Sequence, residues 1–203
     1  MKHLALVALV VACGRSQAPP SSGDPFWSYF VAHAPQLAAE PLEAAMGDLQ
    51  HAIDPVYPGV IVELGAEGAK HTLVLSADGD RAVFPTIQAL WAHRPTVPGW
   101  TVVAFRQRET ARPLSSIQRA DRTLDPNTLR FVAEHTGDKL DVVVFAPGYT
   151  ERDAPLVYIA LDHAVGEYDV EMRIGAISIA PLERAPAAAR PFVELPAALD
   201  ALR

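Results

Sequence analysis

Leu73–Arg108 reads LVLSADGDRAVFPTIQALWAHRPTVPGWTVVAFRQR, and its hydrophobic period changes twice along its length. The strand that begins at His71 ends at Ser76, and Asp78-Gly79-Asp80 turns the chain. Val83, Phe84, Ile87, Leu90 and Trp91 then recur at helical spacing, which predicts an amphipathic helix over Arg81–His93. Pro95, Pro98 and Gly99 break that helix, and Trp100–Phe105 returns to strand. A helix joining two strands by a right-handed crossover makes those strands parallel.

Upstream, Val60–Leu64 reads as a strand and Gly65–Gly68 as a turn, so a hairpin leads into the crossover. Two helices precede it. Asp24-Pro25 supplies an N-cap and a first-turn proline, with Phe26, Trp27, Phe30 and Val31 facing inward and Pro35 weakening continuation. The next helix starts at Pro41 and places Leu42, Ala45, Met46, Leu49 and Ile53 on one face before Pro55 and Pro58.

The same order returns downstream. Arg130–Glu134 is a strand, Thr136-Gly137-Asp138 a turn, Leu140–Phe145 a valine-rich strand, Ala154–Val165 a helix stopped by Gly166, and Ile174–Ile179 a strand. Each half follows an Asp-Pro, at Asp54-Pro55 and Asp125-Pro126. The expected fold is α+β: a mixed, largely antiparallel sheet with helices packed on it, possible halves being two ββαβ repeats at 54–112 and 125–183 of a single domain over 24–203. Phe192–Leu202 closes the chain as a short extended piece and a helical turn. The alternative is that ββαβ is simply a common unit.

Two blocks, Leu73–Arg108 and LDHAVGEYDVEMRIGAI at Leu161–Ile177, together resemble an uncharacterised family of bacterial proteins with SADG…FP…PGW…AFR and LGEYD-like motifs. The likeness spans roughly Val60–Leu182, with Arg94-Pro95 where that family carries Ala-Pro. It implies a domain and no chemistry.

The N-terminus speaks to location. Lys2 and His3 precede the apolar run Leu4–Ala12, which ends at Cys13, the single cysteine. A basic start, a short apolar core and small residues form a secretory signal, and the run is too short to span a bilayer. Val10-Val11-Ala12-Cys13 resembles a lipobox, the cleavage and acylation site of bacterial lipoproteins. The expectation is a signal peptide over 1–12, a lipidated Cys13, and a flexible Pro/Ser/Gly linker through residue 23. Gly14 after the cysteine favours the outer membrane by resemblance to enterobacterial sorting. Twelve residues is short for such a signal. The competing reading is a cytoplasmic protein whose Cys13 is an unmodified thiol.

Composition narrows the partners. Half the residues are hydrophobic and a fifth charged, enough for a core. The net charge of −7, or one unit more negative once Lys2 leaves with the signal, disfavours nucleic acid. One cysteine excludes internal disulfides and thiolate zinc clusters.

The densest polar cluster is Asp162, His163, Glu167, Tyr168, Asp169 and Glu171, around Gly166. Asp162 and Glu167 can flank a divalent cation or an amine, His163 can act as general base beside a carboxylate, and Tyr168 offers a hydroxyl. The spacing matches no ligand motif, and the plain structural reading is a solvated helix end with Gly166 as its left-handed cap. Ser76–Asp80 reads as a tight turn with Asp80 as N-cap, its carboxylates suiting a cation or amine better than phosphate. Arg106, Arg108, Arg112, Arg119 and Arg122 concentrate positive charge. They suit an acidic partner if they share a face, or an edge run that blocks aggregation if they do not.

The functional expectation is an envelope-anchored binding module for a protein or small ligand, with Tyr168, Arg106, Arg108 and Arg112 as binding candidates. Its partners are the membrane, through the lipid, and an envelope protein or small ligand. The alternative is a hydrolase or metal-assisted enzyme using His163, Asp162, Glu167 and Asp169. No cofactor is expected.

Overall fold

The structure, a computed structural model, describes residues 23–119 and 121–202. The expected signal, Cys13 and all of the linker but Gly23 lie outside the described residues.

Helix α1 (Pro25–Leu37) begins where Asp24 accepts a hydrogen bond from the Trp27 amide. Pro35 does not end it; the chain stays helical to Leu37, because the bond that a proline cannot donate is lost only in the closing turn. Helix α2 (Leu42–Ile53) buries Ala45, Leu49 and Ile53. Val31, Leu42 and Met46, expected inward, are exposed. Each helix buries one narrow stripe, and Val31 sits about 100° round from Phe30.

Strands β1 (Ile61–Glu67) and β2 (Lys70–Ser76) form an antiparallel hairpin that closes at Glu67↔Lys70. The turn is therefore Gly68-Ala69, and Gly65, expected in the turn, pairs with Thr72 in the ladder. Gly68 has φ +60°, and a glycine first in a two-residue turn matches strand twist, which carries the ladder past Gly65. Asp80 caps a 3-10 turn at Arg81–Val83, and only then does helix α3 (Phe84–Ala92) begin, with Pro85 in its first turn. Strand β3 (Trp100–Ala104) lies parallel to β2, as the crossover requires.

A short hairpin follows, β4 (Ile117–Arg119) and β5 (Arg122–Leu124), for which the sequence pattern predicts no element. Strands of three residues carry too little alternation to register as a period. The second unit then repeats the first: β6 (Arg130–Thr136) antiparallel to β7 (Lys139–Ala146), helix α4 (Ala154–Val165), and β8 (Ile174–Pro181) parallel to β7. Its hairpin turn, Gly137-Asp138, has the same glycine-first form, with φ +65°. One element is extra: helix α5 (Glu167–Arg173) is inserted between α4 and β8. Strand β9 (Arg190–Pro191) pairs on the outside of β6, and helix α6 (Leu195–Asp200) closes the chain. The fold is α+β with mixed, largely antiparallel open sheets, ordered β1-β2-β3 and β8-β7-β6-β9.

Each sheet has its own core. Phe26, Phe30, Leu49, Leu73, Leu75 and Ile87 fill the first; Phe131, Leu140, Leu161, Phe192 and Leu195 fill the second. Full burial of each such side chain contributes roughly 1.5–3 kcal/mol. The first core runs to Phe105 and the second begins at Leu114, so the chain between them crosses a boundary.

Candidate functional site

That boundary is built from three sharp turns. Beyond β2, Asp78 and Gly79 both take positive φ, +47° and +84°. Beyond β3, Phe105 does so too at +65°, a conformation that costs a non-glycine residue about 1–2 kcal/mol. Its amide donates to Leu75 O at 2.7 Å, which ties the turn to β2 and sends Arg106 towards the second unit. Between α4 and α5, Gly166 has φ +90°, and a Cβ there would lie 3.4 Å from Arg108 N and 3.6 Å from Arg106 O. Only glycine allows this approach without strain.

Glu167, first residue of α5, is fully buried and enters the first unit as an acceptor. Its Oε1 receives Ser76 Oγ at 3.0 Å and Ala77 N at 2.8 Å; its Oε2 receives Arg106 N at 3.0 Å. Its own amide donates back to Arg106 O at 3.0 Å. Arg106 answers from the other side. Its guanidinium, 13% exposed, reaches Glu63 at 2.6 Å, Asp78 at 2.9 Å and Asp162 of α4 at 2.9 Å. Burial opposes the charge on Arg106, but the hydrogen bonds that it donates to Glu63, Asp78 and Asp162 outweigh it and raise its pKa. Tyr168 adds an apolar contact, its ring 5.8 Å from Phe84 and 5.4 Å from Phe105.

Beside this junction lies an open cleft of about 340 Å³, walled by Asp78, Gly79 and Arg106 on one side and Tyr158, Asp162, Val170 and Glu171 on the other, with Arg119 at its edge. Burial pushes the Asp162 carboxyl up to about 7; Arg106 pulls against that, while Glu167 and Glu171 add to it. Burial likewise raises Glu171, with Arg81 opposing. The cleft thus holds a carboxyl that exchanges a proton near neutral pH, and more acidic groups than basic ones.

The structure separates the residues that the sequence put together. Asp162 and Glu171 line the cleft. Glu167 is committed to the junction. His163 turns to Glu109 instead, with Nδ1 3.4 Å from Oε2 and no hydrogen bond made by that nitrogen. Glu109 is held below the usual carboxylate range: burial pushes up, and Ser115 and His163 together outweigh it. Asp169 pairs with Arg173 at 3.2 Å and Arg108 at 3.6 Å. The four residues named for catalysis therefore do not share one pocket. Gly166 is no left-handed cap at a solvated end, because its ψ of 139° leads directly into α5.

The arginines also part. Arg108 grips Asp200 of α6 through Nη1 at 2.8 Å and Nη2 at 3.2 Å. Arg112 donates to the carbonyls of Glu109 and Ala111, and Arg122 pairs with Asp153. They form no single face and, at Arg106 and Arg108, no edge run. Sequence reading missed Glu63, Ser76 and Glu109 as partners, since each is brought in by tertiary folding across 43 to 91 residues or lies in an unpatterned loop. Among the described residues no group of His, Cys, Asp and Glu is arranged to hold a metal ion, and no helix is long and apolar enough to cross a membrane.

No protein-family model and no curated protein matches the chain.

Proposed function

We propose that this chain is a bacterial lipoprotein, anchored to the cell envelope through acylated Cys13, whose folded part binds a small ligand in the cleft between its two units. The observation that supports the site is the placement of Asp162 and Arg106. Both are largely buried, yet both line an open cleft, and charged side chains are kept in such positions at a cost that binding offsets. The excess of carboxylates, Asp78, Asp162 and Glu171, favours a ligand bearing an amine over one bearing phosphate, and Tyr158 offers an aromatic face for the ammonium. The bacterial-family resemblance of Leu73–Arg108 and Leu161–Ile177 is part of the same proposal, since each of those two blocks contributes residues to the cleft, Asp78 and Arg106 from the first and Asp162 and Glu171 from the second.

Titration of the protein with putrescine and, in parallel, with succinate tests the site by NMR. The amine is expected to perturb Asp162, Glu171 and Tyr158, and the double variant Asp162→Asn, Glu171→Gln to abolish the effect. Equal perturbation by succinate, or no change in the variant, overturns the amine site. Metabolic labelling with an alkyne fatty acid tests the anchor: label lost in Cys13→Ser supports it, and an unlabelled wild type overturns it.

One observation favours a second reading. A carboxyl at about 7 in a cleft suits general acid–base catalysis, with Asp162 in the role the sequence suggested for His163. Hydrolysis of a panel of esters and amides that is abolished in Asp162→Asn supports it.

A further inference from the structure

Arg106 differs from the other contacts at the junction in how its partners are distributed. Two of its acceptors, Glu63 and Asp78, belong to the first unit, and only Asp162 belongs to the second. The Glu167 carboxylate, in contrast, receives two backbone amides and one hydroxyl of the first unit, and its own amide returns a bond to Arg106 O. The junction therefore has a fixed joint at Glu167, a charged tie where Arg108 meets Asp169 and Asp200, and a second charged tie at Asp162 that, unlike that of Arg108, forms part of the cleft wall.

We propose that the Asp162–Arg106 pair is a proton-operated latch on the cleft: ionised Asp162 ties the Arg106 guanidinium across the junction, and protonated Asp162 lets it go while Glu167 keeps the units joined. The proposal rests on the cleft being the binding site, since it describes how that site is regulated.

The surroundings of Asp162 support it. From the first unit the carboxyl faces Arg106 and, behind it, Asp78 and Glu63; from α5 it faces Glu167 and Glu171; from β4 it faces Arg119 across the cleft. Arg81 lies beyond Glu171 and His163, next in α4, is turned away to Glu109. One guanidinium thus serves three carboxylates, while two more on α5 push against Asp162. A proton arriving on Asp162 relieves that crowding and takes from Arg106 one acceptor out of three. The latch also fits the proposed ligand, because an ammonium competes with Arg106 for the ionised carboxylate. Binding of an amine should accordingly be strongest where Asp162 is charged.

The test is a carbon-detected NMR titration of the side-chain carboxyls of the full-length protein between pH 4.5 and 9, with guanidinium proton exchange read in the same samples. Arg108, held by Asp200 and Asp169, is the internal reference. Asp162 is expected to titrate well above the other aspartates. Below its midpoint Arg106 should exchange at least about tenfold faster relative to Arg108, the loss of a charge-assisted hydrogen bond. In Asp162→Asn that ratio should be high and independent of pH; in Glu171→Gln, which leaves the tie intact, the midpoint should fall. An Asp162 midpoint in the ordinary aspartate range, or an Arg106 ratio that does not follow Asp162, overturns the latch. Absence of amine binding at every pH would overturn the binding site and leave the titration result standing, so the two failures are distinguishable.

Discussion

The two ββαβ units share strand order, strand sense and the form of the hairpin turn, and differ in what lies between the third and fourth elements. In the first unit α3 gives way to a proline-rich loop and returns directly to β3. In the second, α4 turns at Gly166 into α5 before reaching β8. The shared parts make two cores. The unshared part makes the junction, because α5 brings Glu167, Tyr168 and Glu171 onto the first unit. The polar side of the crossover loops differs as well. After β2 the loop carries Asp78 and Gly79 towards the cleft; after β7 the corresponding loop spends Thr150 and Asp153 on a capping box and on Arg122. The two units thus share a topology, and the candidate site lies where they depart from it.

The strongest way to break this comparison is Glu167→Ala. It removes the acceptor of Ser76 Oγ, Ala77 N and Arg106 N in a buried place, and leaves those donors unpaired. The expected loss is roughly 1–3 kcal/mol for each donor left unpaired, read in thermal or urea unfolding. Hydrogen exchange sharpens the point. If the units are separately cored, amides of Ala77 and Arg106 should lose protection while those of Leu73 and Leu140 keep it. Uniform loss over both sheets would show one cooperative body and dissolve the distinction. Gly166→Ala comes next. Its φ of +90° is strained for any side chain, and the new Cβ meets Arg108 N at 3.4 Å, so about 1–3 kcal/mol is expected. Gly148, at φ +58° with open space around it, serves as the comparison: Gly148→Asn should cost far less.

How much of this was readable beforehand follows the same division. The hairpins, the crossover helices and the parallel pairing were legible, because alternation, helical spacing and Pro/Gly punctuation are local signals carried by residues such as Leu73, Val83, Ile87 and Pro98. Helix α5 was not. Seven residues with three acidic groups, beginning directly after a glycine, read as the solvated end of α4, and only the buried contacts of Glu167 make them a helix worth forming. The cluster around Gly166 stands out in the sequence by its density of charge, yet adjacency in sequence misassigned partners. On a helix, Asp162 and His163 point about 100° apart, so one faces Arg106 and the other Glu109. Arg106 and Arg108 likewise looked like an exposed run, since a lone sequence does not show Glu63 and Asp200 waiting across the fold.

A pH series separates junction from cap at a smaller scale. The folded protein holds the Asp162 proton up to about 7, the unfolded chain only to about 4. Between those values the native state binds more protons, so this group makes stability fall as pH rises, and contributes no further change above 7. Asp153 acts oppositely. Hydrogen bonds from Thr150 and the charge of Arg122 outweigh its burial and hold its pKa down, so its contribution is present above the unfolded value and lost as pH falls. The difference in melting temperature between Asp162→Asn and wild type should therefore grow in favour of the variant from pH 4 to 7 and then stay constant. Asp153→Asn should show the reverse, a deficit that appears as pH rises through the unfolded carboxylate range. Parallel curves for the two variants would mean that the junction holds no uncompensated carboxyl.

The smallest effect concerns the one irregularity that the second sheet has and the first lacks. From Leu140↔Ile174 to Val142↔Ile177, β8 uses three steps where β7 uses two, and the Asp141 carboxylate fills the gap by accepting the Ala176 amide at 2.7 Å. That acceptor lies where a side chain on Gly175 would be, too close to an added Cβ for both to stay in place. Asp141 ends in a movable carboxylate, so Gly175→Ala should displace it rather than break the strand, lowering the melting temperature modestly. If this is the whole effect, Asp141→Ala should cost as much alone as in combination with Gly175→Ala, since the bond to Ala176 can be lost only once. Additive losses would mean that the bulge is held by the backbone of β8 itself, and that the second sheet departs from the first for a reason internal to its strands rather than through this side chain.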